Sequence, residues 1–98
     1  MAEVTENQME ALMMSYYVYI IQCKDGSFYT GYTRDLGSRL MLHANGKGAK
    51  YTRMHKAERL VYVEKFNSRV EAMRREKKVK GLSHRQKLEL ADCKIKLK

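Results

Sequence analysis

From Tyr16 to Cys23 the chain reads YYVYIIQC, a β-branched and aromatic stretch, and SFYTGYT follows after the punctuation KDG. That pattern predicts a β-hairpin. If Asp25 and Gly26 alone made the turn, Tyr19 and Tyr29 would point to opposite faces, because strand side chains alternate with period two. A three-residue loop, Lys24-Asp25-Gly26 with Gly26 left-handed, instead pairs residue 21 with 29 and 19 with 31. Both phenols then share a face, and Gly31 stands directly across from Tyr19. A glycine inside a strand costs packing and marks a bulge or the close approach of another molecule. The expected visitor at Gly31 is a phosphate.

A helix follows, capped by Asp35, with Leu36, Leu40 and Ala44 as its apolar stripe. At 100° per residue Arg39 and His43 lie side by side on one flank of that stripe, at the border between core and solvent. Residues 45–58, NGKGAKYTRMHKAE, read as a long basic loop punctuated by glycines. RLVYVEKF (59–66) alternates as a third strand. Ser68-Arg69-Val70-Glu71 is a capping box opening a helix that Gly81 closes, and Ser83 to Gln86 repeats the signature for another.

On the helix after Ser68, Glu71 projects among Arg74, Arg75 and Lys78, a solvated face. Glu76 does not: its helical neighbours are Ala72, Met73 and Val79, the only apolar face available. A carboxylate there is costly unless it is paired or holds a cation. Three readings stay open: a pair with an arginine such as Arg39, a metal ligand, or a helix rotated to leave Glu76 wet.

Composition narrows the class. A chain of 98 residues with 44% apolar residues allows one small globular domain. The expected division is a tail over 1–14, a domain over 15–92 and a basic tail over 93–98. Formal net charge is +9, although Glu3, Glu6 and Glu10 are the only charged side chains in the first 14 residues. The remainder is therefore more basic still, and a polyanion such as nucleic acid is the simplest partner. Cys23 and Cys93 have no metal-ligand spacing and read as free thiols in a reducing compartment. No basic n-region or continuous apolar run marks a signal peptide or membrane span, so a cytoplasmic protein is expected. The GKG at 46–48 lacks the P-loop pattern. His55 and His84 read as surface residues. Strand tyrosines such as Tyr17, Tyr19 and Tyr29 commonly pack across strands without any chemistry.

Taken together, Tyr17-Val18-Tyr19, Tyr29-Thr30-Gly31, Thr33, Leu36, Arg39, His43 and Glu76 stand in the order and approximate spacing of the GIY-YIG nuclease superfamily, which residues 16–90 resemble. HANGKGAKYTR (43–53) is similar more narrowly to the small stand-alone bacterial members. The resemblance implies an α/β (α+β) fold with a small antiparallel sheet flanked by helices, and metal-dependent hydrolysis of DNA phosphodiesters, with repair or processing as its setting. By that likeness Tyr19 activates the water, Tyr29 holds the phosphate or assists proton transfer, Arg39 stabilises developing charge and His43 supports proton transfer. Glu76 ligates one hard ion, Mg²⁺ or Mn²⁺. Tyr17, Gly31, Lys47, Lys50 and Arg53 would contact the substrate. Because a free phenol has a pKa near 10, Tyr19 needs positive charge nearby to act as a base.

The chain departs from the family in having Tyr17 for glycine, Thr30 for isoleucine, and Leu88 where a polar residue is expected in the last helix. Only Arg85, Gln86 or Lys87 could substitute for that residue. The rival reading is a basic nucleic-acid-binding module on the same fold with little catalysis. A lone unit of this kind implies loose specificity, or target selection by a partner protein.

Overall fold

The computed structural model describes residues 15–92; the tails expected over 1–14 and 93–98 lie outside the described residues. Three antiparallel strands, β1 (Tyr16–Cys23), β2 (Phe28–Thr33) and β3 (Ala57–Phe66), form one sheet in the order β2-β1-β3. The hairpin has the expected register: Tyr19 faces Gly31 and Ile21 faces Tyr29. Gly26 closes the turn at φ 86°, a conformation open to glycine at little cost.

Period-two alternation splits β1 between two cores. Tyr16, Val18 and Ile20 join Phe28 and Tyr62 on one face, where Ala72 and Val79 of α3 (Arg69–Lys80) cover them and Leu82 and Leu90 pack alongside. Tyr17, Tyr19 and Ile21 lie on the other face with Tyr29 and Val63, beneath Leu36 and Leu40 of α1 (Leu36–Ala44). The sheet is thus sandwiched between helices, an α+β arrangement.

Local sequence sets the helix ends. Asp35 caps α1 by accepting from the Ser38 amide at 3.0 Å, and Ser68 caps α3 by accepting from the Glu71 amide at 3.2 Å. Ser83 and Gln86 bond reciprocally, 2.9 and 3.1 Å, at the start of α4 (His84–Asp92). Each bond satisfies an amide that the first helical turn leaves free.

The stretch 45–58 departs from the expected loop. It folds into a short helix, α2 (Lys50–His55), and β3 begins at Ala57. Lys56 links the two in a left-handed conformation, φ 59°, and its carbonyl accepts from the Lys24 amide at 2.9 Å. Arg75 is not simply solvated either. Its Nε donates at 2.9 Å to Glu64 Oε1, which also accepts from the Tyr62 hydroxyl at 2.8 Å. Among the described residues no helix is long and apolar enough to cross a membrane.

Candidate active site

The hairpin brings Tyr19 and Tyr29 to one face with ring centroids 6.3 Å apart. The phenols explain the glycine between the strands. A Cβ at Gly31 would stand 2.6 Å from the Tyr19 hydroxyl oxygen and 3.1 Å from Tyr29 Cε2, so the missing side chain makes room for the phenols themselves. The space expected to receive a phosphate at Gly31 is therefore taken.

From α1, His43 turns inward. It is 2% exposed, not at the border of the core, because α2 closes over it. Its Nε2 lies 2.9 Å from the Tyr19 hydroxyl and its Nδ1 2.7 Å from Thr52 Oγ1. Thr52, itself 1% exposed, donates its single hydroxyl proton to the Ala49 carbonyl at 3.0 Å. Towards His43 it can therefore only accept, which places the imidazole proton on Nδ1 and leaves Nε2 as an acceptor. Tyr19 then donates to Nε2. A glycine also makes room for this imidazole: a Cβ at Gly48 would collide with the ring, standing 2.9 Å from His43 Cγ.

Burial, and then the Arg39 charge, hold the His43 pKa below its usual value, so the ring is neutral at pH 7 and able to accept a proton. Tyr19 is 1% exposed. Burial above all, followed by the nearby Tyr29, raises its pKa far above the ordinary phenol range; Arg39 acts downward, Glu76 upward. The positive charge expected to make Tyr19 a base is outweighed by desolvation. Tyr29 is more open, and its pKa is raised by burial and then by Glu76, against the opposing pull of Arg39 and the Tyr19 hydroxyl. Arg39 and Glu76 thus act in opposite directions on both phenols.

Glu76 lies between Ala72 and Val79 on the inner side of α3 with its side chain 18% exposed, while Met73, expected beside it, is 45% exposed. Among the described residues it forms no ion pair with Arg39; its partner is Lys80, at 3.7 Å. No three His, Cys, Asp or Glu side chains gather among the described residues. A partly buried carboxylate with so long an ion pair fits a hard divalent ion bound mainly through water and substrate oxygens.

The remaining expected residues spread around this centre. Tyr17 is half-buried in the same cluster as Tyr19, and Lys47, Lys50 and Arg53 are exposed on α2 and the turn before it. His84 is exposed and stacks on Phe28 at 4.8 Å. His55 is more engaged than a surface residue, pairing with Asp25 and stacking on Tyr51 at 4.2 Å. On α4, Leu88 is 42% exposed and Gln86 is held in its cap, which leaves Lys87, partly buried, as the polar group turned inward. Thr52 and Gly48 were not legible as site residues: both fall in a basic stretch without hydrophobic period, and only the fold of α2 brings them to His43.

The hairpin with its two phenols, the helix carrying Arg39 and His43, and the inward Glu76 on a later helix occur in one sheet-and-helix domain. The sequence profile of the GIY-YIG catalytic domain matches residues 15–89, and the chain belongs to the GIY-YIG family. Within it the chain is similar to UPF0213 proteins. It is 47% identical over 78 residues to one from Staphylococcus saprophyticus, covering 80% of this chain and 95% of the relative. The solution NMR structure of a UPF0213 protein from Bacillus halodurans is 56% identical with a TM-score of 0.54, covering 83% of this chain and 86% of that one. That of a protein from E. faecalis is 43% identical, again with a TM-score of 0.54, over 76% and 80%.

Proposed function

We propose that the chain is a divalent-metal-dependent endonuclease hydrolysing DNA phosphodiester bonds. The observation that carries this reading is the hydrogen-bonded series Thr52–His43–Tyr19 beneath Tyr29. A buried phenol with a raised pKa does not rest as phenolate, so it cannot serve as a simple base. It can pass a proton on. Tyr19 takes the proton of the attacking water as its own moves to His43 Nε2, and it stays a neutral phenol throughout. The imidazolium so formed keeps its Nδ1 proton on Thr52, which holds the ring in place. Tyr29, the more open phenol, meets a phosphate oxygen. Arg39, exposed and permanently charged, stabilises the negative charge that develops there. Glu76 would hold a divalent ion, which when bound would neutralise charge on the non-bridging oxygens.

Leu88 on the last helix favours a second reading, a DNA-binding module with weak or no turnover, because the position itself is apolar and only its neighbour Lys87 turns a polar group inward. Incubating the protein with plasmid, branched and flapped DNA in Mg²⁺ or Mn²⁺ separates the two. Cleavage abolished by Tyr19→Phe and by Glu76→Ala, with DNA binding retained, supports the nuclease. A wild-type protein that binds but cuts none of these substrates is the binding module.

A further inference from the structure

The helix α2 spans only six residues, fewer than a helix needs to persist on its own backbone bonds, and among the described residues no side chain caps its first turn. Yet it supplies Thr52, whose hydroxyl sets where His43 carries its proton. Contacts with the rest of the fold must therefore hold α2 in place.

The hairpin turn holds its far end. Asp25 Oδ2 accepts from His55 Nδ1, and the Lys24 amide donates at 2.9 Å to the Lys56 carbonyl. Lys56 offers that carbonyl at φ 59°, a conformation disfavoured for a residue with a Cβ. The carboxylate is itself fixed, because its Oδ1 accepts from the Ser27 amide at 3.0 Å and from the Ser27 hydroxyl. Those bonds, and His55, bring the Asp25 pKa down to about 2. At pH 7 Asp25 is an anion that can only accept, so His55 Nδ1 bears the proton between them. The His55 ring stacks on Tyr51 at 4.2 Å, and Tyr51 in turn stacks on Tyr29 at 6.1 Å. A row of rings thus runs from the turn to the more open phenol, along the helix that carries Thr52.

We infer that Asp25 is a positioning residue: acting through His55, it clasps α2 to the hairpin turn and keeps Thr52 seated on His43. When α2 opens, Nδ1 of His43 loses its acceptor and meets water. While it is clasped, the ring stays dry and keeps Nε2 free to accept from Tyr19. The bearing on catalysis rests on the proposed nuclease reading; the clasp itself does not.

The test uses the full chain with Asp25→Ala, and with His55→Phe, which keeps a ring on Tyr51 but removes the nitrogen. The Arg53 amide, bonded to the Ala49 carbonyl at 3.1 Å, should exchange with water up to about fivefold faster in either variant, the scale of one solvent-facing ion pair. The Nδ1 proton of His43 should exchange faster by the same factor, and amides of α3 should keep their rates. Because the two side chains act through one contact, the double variant should do no more than either single one. Faster exchange in α2 and α3 alike overturns the proposal, since the pair would then serve overall stability only. So does a faster Arg53 amide with an unchanged His43 proton, because Thr52 would then stay seated without the clasp. Unchanged exchange at both positions, or effects of the two variants that add, overturns it as well. Every readout is taken without DNA, so a protein that cuts no substrate counts against the nuclease reading and leaves the clasp standing.

Discussion

Replacing Thr52 by valine keeps the shape of the side chain and removes the hydroxyl that both accepts from His43 Nδ1 and donates to the Ala49 carbonyl. Leaving a buried donor without a partner costs about 1–3 kcal/mol. Thr52 is only 1% exposed, so water does not readily replace the hydroxyl. In a domain of this size each 1 kcal/mol lowers Tm by roughly 4–8 °C, so a fall of several degrees is expected. The chemical consequence is more specific. Without an acceptor at Nδ1, the tautomer protonated at Nε2 becomes competitive, and in that form the ring cannot take the Tyr19 proton. If the Nε2–H tautomer then lies about 1.4 kcal/mol below the Nδ1–H form, turnover falls about tenfold. Imidazole ¹⁵N shifts read the tautomer directly, whether or not the protein cleaves DNA. Thr52→Ser, which keeps the hydroxyl, should retain the Nδ1–H form and most of the activity. A Thr52→Val protein whose ring remains fully in the Nδ1–H tautomer would refute the assigned direction of the hydrogen bonds.

Two further outcomes follow from burial. Because the folded pKa of His43 is depressed by desolvation and by Arg39, its contribution to stability is complete above the unfolded value near 6.5 and is lost as pH falls towards the folded value. Urea midpoints measured from pH 8 to 5 should therefore decline through that window, and His43→Gln should flatten the decline; an unchanged slope would show that other groups dominate. Among the described residues the Thr30 hydroxyl is buried without a hydrogen-bond partner, so Thr30→Val should stabilise the fold by about 1 kcal/mol, read as a higher urea midpoint at unchanged slope.

Much of the fold was legible because local chemistry determines it. The loop Lys24-Asp25-Gly26 fixed the hairpin register, and with it the shared face of Tyr19 and Tyr29 and the pairing of Tyr19 with Gly31. Asp35, Ser68 and Ser83 marked three helix starts by side-chain bonds that each reach three residues along the chain. Glu76 was visible as an inward acid because Ala72 and Val79 flank it at helical spacing. What stayed hidden depends on distant contacts. A residue on the flank of α1 is wet or dry according to what covers it, and α2, with two glycines before it and no apolar stripe, gives no periodic signal. His43 was therefore expected at the border, and Thr52 was not singled out. The role of Gly31 was misread for a related reason: sequence shows that a side chain is missing, but not which neighbour fills the room.

The single-layer sheet has a consequence for how this protein can change. Along β1, Tyr16, Val18 and Ile20 face the larger core, while Tyr17, Tyr19 and Ile21 lie on the side of Tyr29 and His43. Residues one peptide apart therefore answer to separate demands: both faces bury apolar side chains, but on the proposed function only the second also carries chemistry. Drift could erode the second while sparing the first, leaving a well-formed protein whose outline no longer reports its trade.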